Sequence, residues 1–83
     1  MRVTVRYYGI IGDMAGRKEE SVELPDRATV GDLLARLAVA NPRFEALAKQ
    51  VRAVVNGQGA TRESDLTDGD EIALLRAIGG GAR

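Results

Sequence analysis

The sequence predicts a two-layer α+β domain: a mixed sheet of four or five strands packed on one main helix, with the other sheet face open. Three observations predict it. One segment only, from Thr29 to Ala40, carries a sustained helical stripe of apolar residues. Short segments of strand character lie on both sides of it, in the order strand, strand, helix, strand, short strand, strand. Neither a repeat nor a linker interrupts the 83 residues, a length that suits one small domain with room for one core and little room for a deep pocket.

Taken in order, Arg2-Val3-Thr4-Val5-Arg6-Tyr7-Tyr8 alternates strictly, with Val3, Val5 and Tyr7 on one side and Arg2, Thr4, Arg6 and Tyr8 on the other. That is the pattern of a half-buried strand. Gly9, Gly12 and Gly16 break it, leaving space for one loose helical turn across Ile10–Ala15. Glu20-Ser21-Val22-Glu23-Leu24 alternates again and stops at Pro25, so the two strands are expected to pair as an antiparallel hairpin with a long connection. Thr29 is placed to cap the helix, with Asp32 in the capping-box position. Val30, Leu33, Leu34, Leu37 and Ala38 then form the core-facing stripe. Asn41-Pro42 ends it, because a residue before proline is pushed out of the helical region.

Phe44 and Leu47 suggest a further short helical turn, and Val51–Val55 a strand. Asn56-Gly57 marks a tight hairpin turn into a short returning strand between Gln58 and Thr61. Asp65–Asp70 reads as a polar turn anchored by a buried Leu66. Glu71-Ile72-Ala73-Leu74-Leu75 closes the fold. Its apolar run predicts a strand buried on both faces in the middle of the sheet. If the first and last strands are neighbours, they run parallel.

Composition excludes much chemistry. With 45% hydrophobic residues the chain is globular rather than disordered. Twelve basic and twelve acidic residues cancel, the basic ones are scattered, and the aromatics are only Tyr7, Tyr8 and Phe44. No nucleic-acid partner is expected. The absence of Cys and His removes disulfides, thiol catalysis, iron–sulfur clusters, the usual zinc sites and imidazole acid–base work. The chain is expected to be a non-enzyme that binds no metal or cofactor of its own. No apolar run reaches the roughly 18 residues of a membrane span, and Met1-Arg2-Val3-Thr4 is unlike a signal peptide, so a soluble, cytoplasmic protein without a membrane partner is expected. The acidic residues Glu63, Asp65, Asp68, Asp70 and Glu71 lack calcium-loop spacing and are read as turn and solvation chemistry. Lys18 and Lys49 are the two lysines, and nothing in the sequence singles out either.

The final stretch organises the rest. After Leu74-Leu75-Arg76-Ala77-Ile78 come Gly79-Gly80-Gly81, then Ala82-Arg83. Consecutive glycines contribute little to a core but make a thin thread that enters narrow channels. The expected organisation is a domain over residues 1–76 and a flexible glycine-rich tail over 77–83. At extended spacing, the six steps from Leu75 to Gly81 span roughly 20 Å.

These features together resemble the small sulfur-carrier proteins of molybdenum-cofactor synthesis, the MoaD family, and more distantly ThiS and ubiquitin. The resemblance is carried by Val5-Arg6-Tyr7-Tyr8-Gly9, Met14-Ala15-Gly16, Ala28-Thr29-Val30-Gly31-Asp32-Leu33-Leu34, Val54-Val55-Asn56-Gly57, Leu66-Thr67-Asp68-Gly69-Asp70-Glu71-Ile72-Ala73-Leu74-Leu75 and the glycines, and it covers nearly the whole chain. It implies the ubiquitin-like β-grasp fold. It also implies a carrier whose C-terminal glycine, here Gly81, is adenylated by an E1-like adenylyltransferase of the MoeB type using ATP and magnesium. The glycine then becomes a thiocarboxylate, and a molybdopterin synthase large subunit of the MoaE type receives the tail.

Two features depart from the family pattern. Aligned through Leu74-Leu75, the family's terminal Gly-Gly falls on Gly80-Gly81, and Ala82-Arg83 overhang, moving the carboxylate by roughly 7 Å. Either Ala82-Arg83 are removed by a processing protease cutting between Gly81 and Ala82, the outcome that the trimming of ubiquitin-like precursors favours, or the chain is a member not used for sulfur transfer. Arg76-Ala77 stands where the family often has two prolines, so the tail should leave the domain less stiffly and beside a positive charge. The partner interface is expected on the open sheet face, with Tyr8, Leu75 and Arg76 as its candidate residues. The rival readings are a ubiquitin-like modifier joined to lysines of other proteins, a sulfur carrier for another pathway (thiamine, cysteine, methionine or tRNA thiolation), and a plain β-grasp binding module.

Overall fold

Alternation at the N-terminus becomes a strand, β1 (Arg2–Tyr7), in which Val3, Val5 and Tyr7 are buried on one side. In the computed structural model, which describes residues 1–76 (for Leu47 and Ala48 the backbone alone), it is followed by α1 (Ile10–Ala15), β2 (Glu19–Glu23), α2 (Val30–Ala40) and α3 (Pro42–Leu47). A 3-10 turn at Ala48–Gln50 leads into β3 (Val51–Val55), β4 (Gln58–Ala60) and β5 (Glu71–Arg76). The five strands form one sheet in the order β2-β1-β5-β3-β4. β1 and β5 run parallel, with Val5 opposite Ile72 and Tyr7 opposite Leu74. Every other pairing is antiparallel. β5 is central, as the sequence predicts, and the first and last strands are neighbours, the arrangement that the sequence leaves as a condition.

The helix forms for the reasons its sequence gives. Thr29 Oγ1 accepts from the backbone N–H of Asp32, and the Asp32 carboxylate accepts from the N–H of Thr29, a complete capping box. A cap of this kind contributes about 1 kcal/mol. Val30, Leu33, Leu34 and Leu37 are buried against the sheet, each such side chain contributing about 1.5–3 kcal/mol. Ala38, expected in the same stripe, is only half-buried because it lies at the stripe's margin. Asn41 is extended and ends α2, while its side-chain oxygen accepts from the N–H of Arg43 at the start of α3 and its amide donates to the carbonyl of Met14. One residue thus stops one helix, starts the next and ties both to α1.

The loose turn at Ile10–Ala15 is a true helix, closed by Gly16 in the left-handed region at φ +76°. It drops Ile11 into the core with no exposed surface. Phe44, also buried, meets Tyr7 edge-to-face with ring centroids 6.4 Å apart. Asn56 and Gly57 adopt φ +49° and +84°, as a two-residue hairpin turn requires. Leu66 is buried as expected.

One expectation about β5 is corrected. It is not buried on both faces: Ile72 and Leu74 are fully enclosed, whereas Ala73 and Leu75 are half-buried. All three helices lie on one side of the sheet. Apolar residues at alternate positions therefore face the open side, where the run Ile72–Leu75 conceals the alternation. The second strand starts and ends one residue earlier than its sequence pattern suggests.

Candidate functional site

The strand registers fix what the open face presents. From β2 come Glu19, Ser21 and Glu23, opposite Arg6, Thr4 and Arg2 of β1. From β5 come Glu71, Ala73 and Leu75, and from β3 come Arg52 opposite Leu75 and Val54 opposite Ala73. The face is divided. On the β2–β1 half, Arg2 pairs with Glu23 at 2.6 Å, and Arg6 reaches Glu19 at 3.8 Å and Glu71 at 3.6 Å. Glu71 first, then the Tyr8 hydroxyl and Glu19, push the Arg6 guanidinium pKa above its ordinary value. The β5–β3 half carries the apolar residues Ala73, Leu75 and Val54, none of them fully covered, with the exposed Arg52 beside Leu75.

Tyr8 stands at the upper edge of that half. It follows β1, and its N–H donates to the carbonyl of Leu74, prolonging the parallel ladder by one bond. It is 49% exposed, one of three large hydrophobics so placed among the described residues, the others being Ile10 and Val39. The structure therefore brings Tyr8 and Leu75 to the same end of the same face. Arg76, the last residue of β5, is exposed and pairs in register with Val51. Gly79, Gly80, Gly81 and Ala82 lie outside the described residues.

Two contributors to this face, Val54 and Ala73, were not singled out from the sequence. The signal was available. Counting in twos from the Asn56-Gly57 turn puts Val54 on the side opposite Ala53, and the register with β5 then adds Ala73.

Below Tyr8 the surface sinks into a shallow, open depression of about 720 Å³ whose walls include Arg6, Tyr8, Asp13, Arg17 and Lys18. On the helix side of the sheet, the Tyr7 hydroxyl donates to Glu20, which also accepts from Arg17 at 3.1 Å. Burial, then the bond to Glu20, raises the Tyr7 pKa well above the usual phenol range. A phenol whose folded pKa exceeds its unfolded one contributes stability that is fully present below the unfolded pKa, about 10, and is lost as pH rises through the folded value. Denaturation midpoints should thus fall as pH climbs above about 10, and Tyr7→Phe should flatten that fall. A titration by urea at several alkaline pH values checks this, and an equally steep fall in Tyr7→Phe would assign the loss elsewhere.

The acidic residues near the start of β5 work as turn chemistry. Asp68 accepts from the N–H of Arg2, and Asp70 from the N–H of Thr67 and the amide of Asn56. Among the described residues no cluster of carboxylates is arranged to hold a metal ion, and no helix is long and apolar enough to cross a membrane.

A small helix-backed sheet with parallel first and last strands and one open face is the ubiquitin-like β-grasp. Residues 5–81 match the ThiS family, and the chain belongs to that family of sulfur-carrier, MoaD- and ThiS-like proteins. It is 34% identical to the molybdopterin synthase sulfur carrier subunit of Chlamydomonas reinhardtii, over 98% of this chain and all of that one. It is 30% identical to the subunit of the same name from Mycobacterium tuberculosis, over 98% and 99% of the two chains. The crystal structure of small archaeal modifier protein 1 from Haloferax volcanii superposes with a TM-score of 0.85 at 26% identity, covering 98% of this chain and all of that one.

Proposed function

We propose that this protein is a non-catalytic sulfur carrier of the molybdopterin synthase small-subunit type, working through Gly81 after Ala82-Arg83 are removed. The observation that supports this most is the reach of the family match, which runs to residue 81 and takes in the whole glycine run. The full-length similarity to two carrier subunits of molybdopterin synthase points the same way.

In this reading an E1-like enzyme of the MoeB type binds ATP and magnesium. The Gly81 carboxylate attacks the α-phosphorus, and pyrophosphate leaves. A sulfur nucleophile then attacks the acyl carbon and releases AMP, leaving a thiocarboxylate. Glycine suits both steps because no side chain shields the carbon. The carrier contributes the docking face and the thread; the large subunit, of the MoaE type, contributes the acceptor site. The cytoplasm is where such a protein would work.

The similarity to the Haloferax modifier protein supports a second reading, in which Gly81 is joined to lysines of other proteins. Intact mass spectrometry of the protein from its own cells separates the two. A species ending at Gly81, heavier than its carboxylate by the difference between sulfur and oxygen, is the expected result. Gly81 linked to a lysine by an isopeptide bond would favour the modifier. A full-length species that gains no sulfur even with the activating enzyme and ATP would overturn both.

A further inference from the structure

The net charge of zero hides a polarised molecule. At the end of the sheet where β1 and β5 finish, and so where the tail leaves, stand Arg17, Lys18, Lys49, Arg52 and Arg76, answered by Asp13, Glu19 and Glu20. The nearby α3 adds a matched pair, Arg43 and Glu45. At the opposite end, where β5 begins, Glu23, Asp26, Asp65, Asp68, Asp70 and Glu71 outnumber Arg2 and Arg27, and Asp32, Glu63 and Arg62 lie alongside.

The two ends also differ in what their charges do. Acids at the β5-start end hold structure: Glu23 pairs with Arg2, Asp26 with the N-terminal ammonium at 3.6 Å, Asp68 and Asp70 accept from backbone amides, and Glu71 faces Arg6. At the tail end, Lys18, Lys49, Arg52 and Arg76 are all exposed, and none forms an ion pair among the described residues. Arg52 sits on the open face directly opposite Leu75, and Lys18 lines the depression beside Tyr8. Cations without an ion pair among the described residues thus stand around the end of β5, flanking the apolar patch on two sides.

We infer that this basic end is an electrostatic guide for docking, and that its occupant is a protein whose active-site opening is rimmed by carboxylates. The inference rests on the sulfur-carrier reading and adds to it which end is presented first and what charge the receiving surface carries. Steering by such a patch raises association rates by about 10- to 1,000-fold at low salt and acts little on dissociation. A long-range field also does what the apolar patch cannot: it turns the molecule so that the thread points at the channel before contact.

The test is stopped-flow association of the full-length protein with the MoeB-type activating enzyme of its host. At about 0.01 M ionic strength charges are felt over roughly 30 Å, and at 1 M over about 3 Å. The wild-type association rate should fall at least tenfold between those conditions. Lys18→Glu/Arg52→Glu should be about tenfold slower than wild type at low salt and equal to it at 1 M, with dissociation nearly unchanged. Lys18→Gln/Arg52→Gln, which adds no repulsion, should lie between, and Asp26→Lys at the opposite end should not slow association. Equal rates for wild type and both double variants at low salt would overturn the inference while leaving the carrier reading intact. So would calorimetric binding of ATP or phosphate alone that the double variants abolish, which would make the cations a small-anion site. Failure of the wild-type protein to bind the enzyme at any salt, both at full length and ending at Gly81, would overturn the carrier reading beneath it.

Discussion

Leu74→Ala is expected to cost the fold about 3 kcal/mol, within the 2–5 kcal/mol spread for such truncations. Leu74 has no exposed surface, lies in the central strand and pairs in register with Tyr7 on one side and Ala53 on the other. Its side chain enters the core between the sheet and the helices, so deletion removes transfer energy and leaves a cavity that two hydrogen-bonded neighbouring strands cannot readily close. In a domain of this size the midpoint of thermal unfolding should drop by roughly 12–24 °C. Urea denaturation with an unchanged slope is the clean measurement, because a changed slope would signal a different denatured or native ensemble. A loss below about 1 kcal/mol would mean that the site collapses around the deletion and that the centre of the sheet is more pliable than its burial suggests.

Tyr8→Asp is expected to weaken binding of a MoaE-type large subunit by about 30-fold or more, the scale of a hot-spot tyrosine. The ring is half exposed, adjoins the apolar half of the open face, and its backbone bond to Leu74 survives the substitution. Stability should change by less than about 0.5 kcal/mol, as for other surface positions. Tyr8→Phe should retain most of the affinity. Titration calorimetry against the large subunit reads both, and unchanged affinity in Tyr8→Asp would remove this residue from the interface.

Where the sequence was legible, local rules had no competitor. Thr29 with Asp32, the stripe from Val30 to Leu37, and Asn56-Gly57 each satisfy their own backbone needs, and each appears in the structure where expected. β5 was harder. Its apolar run reads as burial on both faces, yet half of that run faces the uncovered side of the sheet, because composition alone does not tell an apolar residue on an open face from one in a core. The helix at Ile10–Ala15 was obscured by its glycines, since the residues that disfavour a helix here begin and end it. The division of the open face into a self-paired half and an apolar half depends on strand register, and register between the first and last strands is a tertiary fact that no local pattern encodes.

The parallel pairing of β1 with β5 also governs when the sheet can become whole. A chain stopped before Glu71 has two hairpins, β1–β2 and β3–β4, and no strand to join them. Neither hairpin has a sheet of its own to be stable on. Among the described elements β5 is the last in chain order, so the two hairpins stay separate until it is in place. The open face, with Leu75 and Ala73 beside Val54, therefore exists only once the N- and C-terminal strands have met.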